Sequence, residues 1–128
     1  MRRRLSPVEA YRRVDFDARV NGAGPVELVH VCYEHLVAAL GTAIHAHRRG
    51  DNGLKSRSLT RALTAITALQ LGVTGDSGVA RALNQLYDAA RRTVLDSATA
   101  FDADGLEILR SDFAEIGQAL LGGNGLRG

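Results

Sequence analysis

The chain contains no tryptophan, one cysteine and two prolines in 128 residues, and aromatic residues make up only 5% of it. A core with so few aromatic side chains must consist mainly of alanine, leucine and valine, a composition that favours helix over sheet. Both prolines lie within the first 25 residues, so the rest of the chain is free to be helical. The single cysteine, Cys32, cannot form an internal disulfide, which fits a reducing compartment.

Long apolar runs are also lacking. No stretch approaches the roughly 20 consecutive apolar residues that a membrane-spanning helix needs. The arginines at the N-terminus are not followed by the apolar segment of a signal peptide. We therefore predict a cytoplasmic protein with no membrane span.

The charge balance is close to neutral, with a formal net charge of +2 and an isoelectric point near 9.1. Six arginines lie in the first 19 residues, and such a cluster can indicate nucleic-acid binding. However, no aromatic residues interleave with these arginines in the way that single-strand binding requires. We interpret the cluster as a solubility feature and predict no nucleic-acid partner.

Glycine-containing turns divide the rest of the chain into four helical segments, which we predict at 25–49, 54–71, 78–101 and 106–121. The last two carry apolar residues at helical spacing, which are Val79, Leu83, Leu86, Ala90 and Val94 in one and Leu106, Leu109, Phe113, Ile116 and Leu120 in the other. No alternating strand pattern of useful length is present. Because the connections are short, the sequence predicts an all-α, antiparallel up-and-down four-helix bundle.

The predicted organisation is a single domain. Residues 1–23 form an N-terminal arm and linker, in which Ser6 and Glu9 can form a capping box that starts a short helix. Residues 24–121 form the bundle, and the glycine-rich residues 122–128 form a flexible tail.

Candidate catalytic and metal sites fail on spacing. His45 and His47 are two residues apart and His30 and His35 are five apart, so neither pair has the i, i+4 geometry of a helical zinc site. No nucleophile is accompanied by a base and an orienting carboxylate. In "DADG", Asp102 resembles a helix cap better than the start of a calcium loop. The sequence therefore predicts no enzyme, no metal and no cofactor.

One signalling alternative remains open. Histidine phosphotransfer domains are four-helix bundles of similar size with a solvent-facing histidine in mid-helix. The segment "HAHRRG" weakly resembles their motif, with His45 or His47 as the candidate phosphoacceptor.

The first long helix has an unusually wide apolar sector. Apolar residues from Leu28 to Ile44 cover about half of its circumference, whereas a packed surface helix needs an arc of about 100°. Either this helix is central in the bundle, or one flank is open as a groove for a partner. Val31 lies at the edge of the sector, so we expect Val31→Glu to spare the core and disturb such a groove.

Several motifs occur in the order and spacing of one family. Ala10-Tyr11 lies in the arm, "GPVEL" and "VCYEHLV" lie in the first long helix, and "LNQLYDAA" is followed by "VLDSATAFDADGLEIL". From Ala10 to about Leu120 the chain resembles the flagellin-specific export chaperones, FliS. It departs from their pattern at Gly24, where serine is usual, at Cys32, where leucine or methionine is usual, and at Glu34, where aspartate is usual.

The resemblance implies a cytoplasmic chaperone that uses no ATP. Such proteins bind the disordered C-terminal region of flagellin and prevent premature polymerisation before type III export. Together with the wide apolar sector, it places flagellin binding at Tyr11, Leu28, Val31, Tyr33, Leu36, Leu83, Leu86 and Tyr87. In such proteins the N-terminal segment is thought to cover part of the groove when no client is bound, and a short helix packed permanently against the bundle is left open as the alternative. Whether an export-gate component or a regulatory protein binds as a second partner is left open.

Overall fold

The computed structural model describes residues 25–120, which form four helices. They are α1 (Pro25–Arg48), α2 (Asn52–Leu71), α3 (Gly78–Ser97) and α4 (Ala103–Leu120). These residues contain no strand, so the predicted all-α four-helix bundle is confirmed. The predictions for the N-terminal arm and the C-terminal tail lie outside the described residues.

The turn between α1 and α2 has a glycine-dependent geometry. Gly50 has a φ of 73°, a left-handed conformation that residues with a side chain rarely adopt. The following N–H, of Asp51, donates to the carbonyl of Ala46 at 2.9 Å, which closes α1 with a Schellman motif. The Asp51 side chain then accepts from the Leu54 N–H at 3.0 Å and caps the start of α2.

The boundary between α3 and α4 differs from the prediction. We expected the third helix to reach Phe101, but it ends at Ser97, whose hydroxyl accepts from the Asp102 N–H at 3.2 Å. The predicted role of Asp102 as a cap is confirmed, because its Oδ1 accepts from the Gly105 N–H at 2.9 Å. Helix α4 therefore starts at Ala103, three residues earlier than predicted.

Helix α1 is the central element of the bundle. It packs along its length against α2 and α4, and Leu36, Leu40 and Ala43 are completely buried. Helix α3 packs mainly against α2 and contacts α4 over only a short stretch. The width of the apolar sector on α1 is therefore explained mostly by its central position.

An aromatic cluster fills the middle of the bundle and joins three helices. The ring of Phe113 on α4 lies 5.5 Å from Tyr33 on α1 and 6.2 Å from Tyr87 on α3, centroid to centroid. The two tyrosine hydroxyls are 2.8 Å apart and share a hydrogen bond. This cluster connects α1 to α3, which face each other diagonally across the bundle.

The predicted stripe on α4 is confirmed, since its members are buried or packed against the core. The stripe on α3 is shifted by one residue at its start. Val79 is 71% exposed, and Ala80 is buried in its place. The stripe runs through Ala80, Leu83 and Tyr87 in regular steps of three and four, which turns Val79 towards solvent.

Candidate functional site

A groove opens at one end of the bundle, where the first turns of α1 and α3 approach the last turns of α2 and α4. Its volume is about 480 Å³. We call it the terminal groove, and it is lined by Leu28, Val29, Cys32, Ala68, Leu69, Gly72, Val73, Thr74, Ser77, Val79, Ala80, Leu83, Tyr87 and Leu120. None of these fourteen residues carries a charge, so the groove suits an apolar ligand.

The groove also carries exposed apolar side chains. Among residues 27–120, five large apolar side chains are exposed, and two of them, Val29 (37%) and Val79 (71%), line this groove. Deeper in the groove, Leu28, Leu69 and Tyr87 are almost fully buried. Exposed apolar side chains beside an apolar groove mark a surface that binds a ligand or another polypeptide.

A polar network holds one wall of the groove in place. Arg91 on α3 donates to Thr67 of α2 at 3.0 Å and also to the side-chain oxygen of Gln70. The amide nitrogen of Gln70 donates in turn to Asp88 at 2.8 Å. Because each of these side chains has a partner across the α2–α3 contact, the network fixes α3 along α2 and so positions Leu83 and Tyr87.

The predicted site residues within the described range separate into three groups, and one more lies outside that range. Leu28, Leu83 and Tyr87 line the terminal groove. Tyr33 and Leu36 are buried in the core and offer almost no surface to a ligand. Val31 and Leu86 are half-buried and lie outside the lining, while Tyr11 lies outside the described residues.

Burial changes the acidity of the groups beneath the groove. It raises the pKa of the Cys32 thiol from 9.0 to about 11. Burial also raises the pKa of Tyr33 and, together with the hydrogen bond to Tyr33, the pKa of Tyr87. A thiol of raised pKa remains protonated near neutral pH, so Cys32 acts as an apolar wall residue there.

These raised pKa values predict alkaline destabilisation. The native state keeps the Cys32 proton above pH 9, where the unfolded chain loses it, so the free energy of unfolding should fall between pH 9 and 11. The expected contribution of Cys32 by pH 11 is about 2 kcal/mol. Urea unfolding at a series of pH values measures this loss, and Cys32→Ala should make the decline shallower. An unchanged decline in that variant would assign the effect to other groups.

Comparison with known proteins identifies the family. The family model of the flagellar protein FliS matches residues 7–119. The chain belongs to the FliS family. The flagellar secretion chaperone FliS of Salmonella typhimurium (strain LT2) is 27% identical over 117 residues, which cover 89% of this chain and 87% of that protein. FliS is a family of flagellar secretion chaperones and not of enzymes, so the family assignment supports the chaperone interpretation over the phosphotransfer alternative.

Two histidines of α1 in this FliS-family chain contact neighbouring side chains. The His47 ring stacks on Phe101 with centroids 4.0 Å apart, and its Nδ1 lies 3.3 Å from the Lys55 ammonium. His45 lies exposed in the last turn of α1, and His30 pairs with Glu34 at 3.3 Å. Within residues 25–120, no three histidine, cysteine or carboxylate side chains gather to hold a metal. No helix in the same range is long and apolar enough to cross a membrane.

Sequence reasoning missed several groove residues of this FliS-family chain, namely Val29, Val73, Val79 and Leu120. The sequence pattern predicts Val79 in the core stripe, although a one-residue shift to Ala80 gives an equally regular pattern. Val73 lies in the connection between α2 and α3, where periodicity gives no information. An apolar residue inside the glycine-rich turn "GVTGDSG" was the available signal.

Proposed function

We propose that this protein is a cytoplasmic flagellar secretion chaperone that binds the disordered C-terminal region of flagellin in the terminal groove. Binding there prevents premature polymerisation of flagellin before type III export. The observation that carries the proposal is the uncharged groove of about 480 Å³, with Val29 and Val79 exposed beside it, on a FliS-family bundle.

The physical basis is coupled folding and binding. A disordered segment with an apolar face gains about 25 cal/mol for each Å² of apolar surface that it buries. This gain offsets the entropy lost when the segment becomes ordered as a helix in the groove. Such holding needs no nucleotide hydrolysis, and the uncharged lining fits a passive holding role.

The predicted client-binding residues take two different roles in this proposal. Half-buried Leu83 contacts the client directly, and Leu28 and Tyr87 form the apolar floor beneath it. Tyr33 and Leu36 are buried in the core and do not contact the client. The Tyr33 hydroxyl holds the groove residue Tyr87 in place through the hydrogen bond of 2.8 Å. In the arm, Tyr11 is proposed to cover the groove when no client is present, because α1 enters the bundle beside the groove at Leu28.

Titration calorimetry with the C-terminal region of the flagellin from the same cell tests the proposal. We expect saturable binding of one client segment per chaperone, whereas the N-terminal region of the same flagellin should release no heat. An equimolar amount of the chaperone should also delay flagellin polymerisation, followed by light scattering. If neither binding nor delay occurs with freshly folded protein, the proposal is wrong.

A further inference from the structure

A second groove runs between α1 and α2, with a volume of about 400 Å³. We call it the lateral groove, and its floor and sides are formed by Ala38, Ala39, Thr42, Thr60, Thr64 and Ala65. It meets the terminal groove only at Cys32 and Ala68. No residue of α3 or α4 contributes to it, so this face of the helix pair has no partner helix among residues 25–120.

The size of its side chains suits a helix. Alanine and threonine line both sides, and the distance between packed helix axes falls when the contacting side chains are small. Ala38, Thr60 and Thr64 are exposed, so no other described side chain covers them. A helix could therefore lie along the groove without displacing part of the bundle. A third helix placed there would pack closely against α1 and α2.

The charge on the α2 side of this groove is positive. Helix α2 contains Lys55, Arg57 and Arg61, but no aspartate or glutamate between Asn52 and Leu71. Arg57 and Arg61 are exposed, and neither forms an ion pair with any residue of 25–120. From α1 the groove receives His35 and no carboxylate. Of the two arginines, Arg61 lines the groove, and Arg57 lies one helical turn before it on the same face of α2.

The spacing of the two arginines indicates the form of the ligand. Residues at i and i+4 lie about 6 Å apart on one helix face, so carboxylates at i and i+4 of a facing helix can meet both guanidinium groups. Arginine pairs well with carboxylate because its planar fork donates two parallel hydrogen bonds. Single-stranded nucleic acid fits less well, since the lining contains no aromatic residue on which bases could stack.

We propose that the lateral groove binds an acidic amphipathic helix of a second protein, whose carboxylates meet Arg57 and Arg61 and whose small apolar side chains pack on the alanines. This site is separate from the terminal groove, and it does not depend on the identity of the client there. It gives the chaperone a surface for a protein partner other than its cargo.

The test uses synthetic helices as probes and fluorescence anisotropy as the readout. The acidic probe is a fluorescently labelled peptide of about 18 residues, long enough to form a helix, with alanines on one face and two glutamates four residues apart beside them. Two matched probes carry glutamine or lysine in place of the glutamates. We expect the acidic probe to bind at least tenfold more tightly than the glutamine probe, and the lysine probe not to bind.

Variants of the full chain locate the binding. Arg57→Glu combined with Arg61→Glu should abolish binding of the acidic probe and create binding of the lysine probe. Arg92→Glu, an exposed arginine on α3, is the matched control and should change affinity less than twofold. Thr64→Trp fills the groove while leaving both arginines in place, and it should weaken the acidic probe at least tenfold.

Several results would overturn the proposal. One is the absence of acidic-probe binding to the unmodified chain. Another is equal binding to Thr64→Trp, which would show attraction to surface charge and no docking in the groove. A third is binding of single-stranded RNA, lost in the double arginine variant, with no binding of the acidic probe. Flagellin binding should persist in Thr64→Trp, so a failure of this proposal is distinguishable from a failure of the client site.

Discussion

Phe113→Ala should lower the free energy of unfolding by about 3–5 kcal/mol, the range for emptying a large aromatic site in a core. Phe113 is completely buried, and its ring contacts the rings of Tyr33 and Tyr87. The cavity has little chance to collapse, because the hydrogen bond between the tyrosine hydroxyls holds both rings in place. Urea unfolding followed by circular dichroism measures the loss.

Ile108→Ala is the matched control, since Ile108 lies on the same helix but is 63% exposed. Its loss should be about 0.5 kcal/mol or less, as is usual for surface substitutions. The difference between the two variants isolates the contribution of burial. If Phe113→Ala cost less than about 1 kcal/mol, α4 would not pack on the aromatic cluster as described.

The bundle was largely predictable because its signals are local. The α4 stripe of Leu106, Phe113 and their neighbours repeats at helical spacing over the whole helix, and one register satisfies it. Asp102 indicates the start of α4 in the sequence, since aspartate before an apolar run is a frequent N-cap. Such features depend on residues within one or two turns, which the sequence shows directly.

The end of α3 was not predictable in the same way. The residues from Ala98 to Phe101 have no strong helix-breaking character, so propensity alone extends the helix through them. What ends it is the hydrogen bond from the Asp102 N–H to the Ser97 hydroxyl, which depends on where α4 must start. A preference of a few tenths of a kcal/mol per residue is easily outweighed by such a contact.

The groove was only partly predictable, because a helical wheel shows which residues are apolar but not which neighbour covers them. Tyr33 and Leu36 belong to the same apolar sector as Leu28, yet both are buried in the core, whereas Leu28 lines the groove. Val31, chosen as a probe for its place at the edge of the sector, lies outside the lining. The structure thus indicates a probe on α3.

Val79→Asp should leave the fold intact and raise the dissociation constant for the flagellin C-terminal region about 30-fold or more, roughly 2 kcal/mol. Val79 is 71% exposed, so the substitution removes almost no core packing. It lies in the first turn of α3, two residues after the Ser77 cap, where the helix dipole favours a negative charge. In the complex, however, an unpaired carboxylate would be covered by an apolar client, at a cost of several kcal/mol.

Calorimetry with the client region measures the affinity, and circular dichroism checks the fold. Ile108→Asp is the matched control, because it places the same charge at an exposed apolar position that lies outside the terminal groove. It should bind the client with the affinity of the unmodified chain. Equal weakening by both substitutions would indicate a general effect of charge. Full binding by a folded Val79→Asp chain would show that the client does not cover α3 at this groove, and the site would then have to lie on another face of the bundle.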